Sequence, residues 1–144
     1  MARANLVEEV KCNGDIIAII IRDGYKGKGV SFFTPNNFSQ QLAFMHHPQG
    51  EIIKPHIHNL KLRRIFYTQE VLVMKKGKIR VSLYSAARKF IGEKILNSGD
   101  IILLASGGHG FQMLEETEMI AVKQGPYRGE KDKQHFEALD DSGK

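Results

Sequence analysis

Lys78-Ile79-Arg80-Val81-Ser82-Leu83-Tyr84 is the stretch whose pattern settles the fold class. Apolar and polar residues alternate, with Ile79, Val81 and Leu83 on one side and Lys78, Arg80 and Ser82 on the other. A period of two is that of a half-buried strand, because successive side chains of an extended backbone point to opposite faces. The Lys76-Gly77 pair before it reads as a turn, and residues 70–75 before that as an apolar strand. After it come a turn at 85–89, a strand at 90–96 and the turn Asn97-Ser98-Gly99-Asp100. Strands are then expected at 101–104, 110–114 and 118–124.

Towards the amino terminus the same punctuation recurs. Residues 15–22 are rich in isoleucine and end at the turn pair Asp23-Gly24. Ser31-Phe32-Phe33 is closed by Thr34-Pro35-Asn36-Asn37, a strand at 40–46 is stopped by Pro48-Gln49-Gly50, and another is expected at 52–58. A short helix near 133–139 is the one competing signal. Short strands at regular spacing with turn residues between them predict an all-β sandwich or barrel. Neither a repeat nor a linker divides the chain. It reads as one domain over 1–144, with an amino-terminal arm at about 1–14 and a polar carboxy-terminal tail at 130–144.

A chain of 144 residues can bury a core without help from a disulfide or a metal. Its single cysteine, Cys12, cannot form an internal disulfide, which fits a reducing compartment. The longest apolar run, Ile16-Ile17-Ala18-Ile19-Ile20-Ile21, is too short to cross a bilayer as a helix, and the start lacks the layout of a secretory signal. The expected location is the cytoplasm, with no membrane partner. Net charge is +5, but residues 130–144 carry five acids and three lysines, so the rest holds 18 bases and 11 acids. That surplus favours a small anion over nucleic acid, because no dense basic run and no basic-aromatic motif is present. The glycines Gly24, Gly27 and Gly29 do not make a phosphate loop, since Val30 follows where lysine is required.

The chemistry-bearing feature is Pro55-His56-Ile57-His58. In an extended strand the two histidines face the same way, about 7 Å apart at the backbone, close enough for both rings to converge on one metal ion. Five residues separate Gly50 from His56, and six separate Glu70 from Gly77. Further on stands Gly99-Asp100-Ile101-Ile102-Leu103-Leu104-Ala105-Ser106-Gly107-Gly108-His109-Gly110-Phe111. Together these stretches resemble the two motifs of a single-domain cupin. The chain departs from that pattern in three places. Eleven residues, 59–69, fill the gap between His58 and Glu70, much longer than the usual one; Ala105 stands where proline is common; and the closing asparagine is missing near Met113 or Leu114.

The resemblance implies a small jelly-roll barrel, a homodimer, and one divalent transition metal (iron, manganese, nickel or zinc) held by His56, His58, Glu70 and His109. Gln69 faces the metal instead if its strand is one residue out of phase. Imidazole and carboxylate together suit that group of metals. Alternation puts His109, Phe111 and Met113 on one face, an apolar wall beside the metal where substrate could lie. The inserted segment 59–69 offers Lys61, Arg63 and Arg64 to clamp a phosphate or carboxylate, and Tyr67 to donate a proton. Tyr67 and His109 are the catalytic candidates; Lys61, Arg63, Arg64, Gln69, Phe111 and Met113 are the substrate-binding ones. His46, His47 and His135 read as packed or surface histidines. Similar cupins include sugar isomerases and epimerases, so the expected ligand is a small anionic or sugar-like molecule. A metal-dependent dioxygenase and a non-catalytic ligand-binding cupin are the alternatives, and fold alone does not choose among them.

Overall fold

The computed structural model describes residues 5–137. They form ten strands, β1 (Val7–Cys12), β2 (Asp15–Ile21), β3 (Gly29–Phe32), β4 (Ala43–His46), β5 (Glu70–Lys76), β6 (Lys78–Tyr84), β7 (Phe90–Asn97), β8 (Ile101–Leu104), β9 (Gly108–Met113) and β10 (Glu118–Lys123), and one 3-10 turn, η1 (Gly129–Asp132). The chain is all-β and every strand pairing is antiparallel. Two compact units are distinguished: one comprises 1–25 and 67–144, the other 26–66. Among the described residues no helix is long and apolar enough to cross a membrane.

The first unit holds a five-stranded sheet, in the order β1-β2-β8-β5-β10, and a three-stranded sheet, β7-β6-β9. Their facing sides share one core. Ile17, Ala18 and Ile20 of β2, Leu72 and Met74 of β5, and Ile102 and Leu104 of β8 meet Ile79, Val81 and Leu83 of β6 and Leu96 of β7. The alternating strand therefore does what its pattern requires, with Ile79, Val81 and Leu83 buried and Lys78, Arg80 and Ser82 only partly so. Each such side chain contributes about 1.5–3 kcal/mol by leaving water. The unbroken isoleucine run behaves differently, for a physical reason. β2 lies inside its sheet between β1 and β8, and Ile19, on the face opposite Ala18 and Ile20, is buried too. Two buried faces demand apolar residues at every position.

The chain crosses from one sheet to the other at Gly77, where β5 ends and β6 begins. Gly77 has φ +93°, and a Cβ there would run into the Glu116 carbonyl oxygen, so only glycine fits the corner. The barrel is not closed: β1 and β10 edge one sheet, β7 and β9 the other. The second unit contains the β3–β4 hairpin, with Gly29 opposite His46 and Phe32 opposite Ala43.

Three expectations need correction. Residues 52–58 form no strand, and no strand lies anywhere in 51–69. Among the described residues, no backbone-to-backbone hydrogen bond ties 52–68 to a neighbour, and Pro55 has no N–H to give. Conversely Val7–Cys12, expected as part of an arm, is a strand in register with β2, from Val7 opposite Ile21 to Cys12 opposite Asp15. Its two central glutamates hide the alternation, but as an edge strand β1 tolerates them. The short helix expected at 133–139 is not formed over 133–137, and η1 precedes it instead; positions 138 and 139, like the rest of the tail to 144, lie outside the described residues.

Candidate functional site

Glu70 opens β5 and shares its face with Leu72 and Met74, so it stands where the core of the first unit gives way to solvent. Register places Lys123 of β10 directly beside it on one flank and Leu104 of β8 on the other. His109 lies on β9 opposite Leu83 of β6, which turns its ring towards the same interior. The consequence is that Glu70 of one sheet meets His109 of the other, Oε2 to Nε2, at 3.6 Å. That separation is longer than an ordinary hydrogen bond. Both side chains are partly shielded, 20% exposed for Glu70 and 32% for His109. The imidazole beside it holds the Glu70 carboxyl below its ordinary value against the upward pull of burial, and Lys123 and Lys133 act in the same direction. Between Glu70 and Gln69, it is Glu70 that meets the histidine. Gln69 is buried with its backbone N–H donating to the Gln124 side-chain oxygen at 2.8 Å.

Phe111 and Met113 continue the face that His109 begins, opposite Val81 and Ile79, and both stay exposed because β9 is an edge. The His109 and Phe111 ring centroids are 5.3 Å apart. These residues form an apolar ledge leading away from the Glu70–His109 contact, as the alternation rule requires.

His56 and His58 belong to the second unit, and their exposed rings lie 5.3 Å apart at an interplanar angle of 78°. Two imidazoles bound tetrahedrally to one metal at about 2.0–2.1 Å have centroids about 5 Å apart, so the pair suits a shared ion. The His56 Nδ1–H donates to the Lys54 carbonyl oxygen at 2.9 Å, which leaves Nε2 as the lone-pair nitrogen. A ligating histidine characteristically has such an acceptor behind it. Within either unit, among the described residues, no three histidine, cysteine or carboxylate side chains converge.

The remaining candidates lie in the second unit or at its border. Lys61, Arg63 and Arg64 are exposed and make no ion pair among the described residues; the one contact is Arg63 Nη1 to the Lys61 carbonyl at 3.4 Å. Tyr67 is 67% exposed. Two histidines read as ordinary are more engaged than expected. His46 Nδ1 faces the Gly27 carbonyl at 3.0 Å, and His47 Nδ1 meets Glu51 Oε2 at 2.9 Å, beside a cavity of about 330 Å³ that Lys28 also lines. The i,i+4 spacing of His47 and Glu51 was a visible signal for that pair. His135 pairs with Glu130 at 2.9 Å on the surface. Compared with models of known protein families, with curated proteins and with solved structures, the chain finds no match.

Proposed function

We propose that this chain is a metal-binding protein of the single-domain cupin type, acting on a small polar or anionic, carbohydrate-like metabolite in the manner of a sugar isomerase or epimerase. The observation that carries the reading is the Glu70–His109 contact between the two sheets, with the apolar ledge of Phe111 and Met113 leading from it. A structural ion pair would account for the contact alone. It would not call for an exposed aromatic and a methionine on the same face.

Glu70 and His109 in the first unit, and His56 and His58 in the second, are each a donor pair for a divalent transition ion, since imidazole nitrogen and carboxylate oxygen together suit iron, manganese, nickel and zinc. When bound, such an ion supplies Lewis acidity to a carbonyl or enediolate oxygen. This chain's own residues do the rest. Glu70 brings negative charge held ready by its neighbours, Phe111 and Met113 shelter the apolar face of a sugar ring, and Tyr67 has the hydroxyl to hand over a proton. Lys123 beside Glu70 supplies a cation for an anionic substituent. The free sheet edges, and Ile120 and Val122 exposed on the edge strand β10, support pairing with a second copy into a homodimer. The lone cysteine supports a cytoplasmic setting.

Metal analysis of purified protein is the test. About one equivalent per chain is expected, falling at least roughly tenfold in His56→Ala and in His109→Ala, the usual penalty for losing a metal ligand or its support. Thermal stabilisation by sugar phosphates or nucleotide sugars should follow metal loading. Metal-free protein that responds to none of these ligands would overturn the reading.

A further inference from the structure

Residues 52–68 are exposed throughout, and among the described residues none of them gives or takes a backbone-to-backbone hydrogen bond. Ile57, Leu60, Leu62 and Phe66 stand almost wholly in water. The apolar side chains of 52–67 together present on the order of 1,000 Å², where the largest patch of an ordinary monomer is about 300–600 Å². Unpaired amide groups and apolar side chains on one stretch are what a segment that adds a strand to a sheet presents. Asn59-Leu60-Lys61-Leu62-Arg63-Arg64 also alternates: in an extended backbone Leu60, Leu62 and Arg64 lie on one side, Lys61 and Arg63 on the other.

We infer that this segment crosses to a second copy of the chain and pairs antiparallel with its β10, so that Leu60 meets Val122, Leu62 meets Ile120 and Arg64 meets Glu118. The two copies exchange segments about a twofold axis. β10 is an edge strand; Glu118, Ile120 and Val122 share its outward face and are exposed, while Met119 on the other face packs on the core. Among the described residues Glu118 is in no ion pair. Chemistry fixes the register. Moved by two residues, it sets Leu62 on Glu118 or Arg64 on Ile120; moved by one, it sets Lys61 on Ile120 or Val122. A chain cannot make this pairing with itself. Arg64 would lie at the Glu118 end, yet Glu70, six residues later, stands beside Lys123 on the far side of β10. The straight line between those places is about 19 Å, and six residues reach at most about 20–22 Å, too little to pass over β10. A stable interface needs about 1,200–2,000 Å² in total, and two exchanged segments hold enough apolar surface to meet it. The same register carries Lys61 and Arg63 to the face on which Lys123 flanks Glu70. The inference rests on the proposed homodimer and does not depend on the metal.

Analytical ultracentrifugation of the full chain measures the dissociation constant of the dimer. Leu62→Asp sets a carboxylate on Ile120 twice per dimer and should raise that constant at least roughly a hundredfold. Arg64→Glu and Glu118→Arg should each raise it roughly tenfold, and the two together should restore it. These side chains are exposed within their own chain, so none of the changes should move the unfolding of dilute, dissociated protein, and a lost dimer is not a lost fold. Cysteines report the register. In a Cys12→Ser background, Leu62→Cys with Ile120→Cys should oxidise to a covalent dimer, whereas Leu62→Cys with Ala121→Cys should not, because position 121 faces the other way. A monomeric parent overturns the inference and the homodimer together; if that monomer sediments with phosphatidylserine vesicles, an anionic membrane surface is what the segment covers. A dimer that is indifferent to Leu62→Asp and Arg64→Glu, and that the 62–120 cysteines do not link, overturns the exchange and leaves the homodimer standing.

Discussion

Asp100→Ala should be among the most damaging single changes outside the apolar core. The carboxylate is 4% exposed at the turn between β7 and β8. Its Oδ1 accepts from the Asp23 backbone N–H at 3.0 Å, and its Oδ2 from the Asn97 N–H at 2.9 Å and from Arg22 Nη1 at 3.0 Å. Arg22 in turn bonds Glu8 of β1 at 2.6 Å and the Ile95 carbonyl of β7 at 2.7 Å, so the cluster ties the edges of the two sheets together. Bonds to a charged partner contribute about 1.5–3 kcal/mol each, but three in one network are not additive, and Arg22 keeps two partners. The expected loss is about 3–5 kcal/mol, the range for removing one member of a buried ion pair. At about 3–4 °C per kcal/mol for a domain of this size, the melting midpoint should fall by about 9–20 °C. Urea unfolding followed by circular dichroism measures this directly, with the slope unchanged if only stability has altered. Asp100→Asn keeps one acceptor oxygen but must turn its NH2 towards at least one of these N–H donors, so it should lose at least half as much. The double variant with Arg22→Ala should show a coupling of about 1–3 kcal/mol. A loss below about 1 kcal/mol for Asp100→Ala would refute the claim that this turn holds the sheets together.

Three further outcomes follow from the same physics. Burial pushes the Glu8 carboxyl up, but hydrogen bonds from Lys94 and Arg22 outweigh it and hold it below its ordinary value; a depressed carboxyl stabilises the fold above its unfolded pKa, so this contribution should vanish as pH falls through the folded one, and Glu8→Gln should flatten the acid limb of a stability–pH curve. Gly107→Ala should cost at least about 2 kcal/mol, because φ is +70° and the new Cβ would meet the Tyr84 carbonyl oxygen, and a melting midpoint within about 2 °C of the parent would contradict the steric argument. Leu83→Ala should cost about 2–5 kcal/mol in urea unfolding, whereas Leu62→Ala, 89% exposed, should stay within about 0.5 kcal/mol; equal effects would mean the core is wrongly placed.

Periodicity and turn chemistry were enough for the class of fold and for most of its strands. The alternation of 78–84 and the isoleucine run of 15–21 are local patterns with one physical reading each: one buried face in the first, two in the second. The same rule put His109, Phe111 and Met113 on one side of β9, because side-chain direction along a strand is a property of the backbone alone. Pairing is not such a property. A strand forms only where a neighbour supplies its hydrogen bonds, so 52–58, which carries the paired histidines, has no backbone partner among the described residues, while the glutamate-bearing Val7–Cys12 pairs along its length. That Glu70 rather than Gln69 meets His109, that Lys123 stands beside it, and that Phe136 lodges on Gly108 are contacts between residues tens of positions apart. Spacing along the chain holds no information about such distances, since they are set by how two sheets pack around a shared core. Residue chemistry named the candidate donors; tertiary packing selected which of them touch.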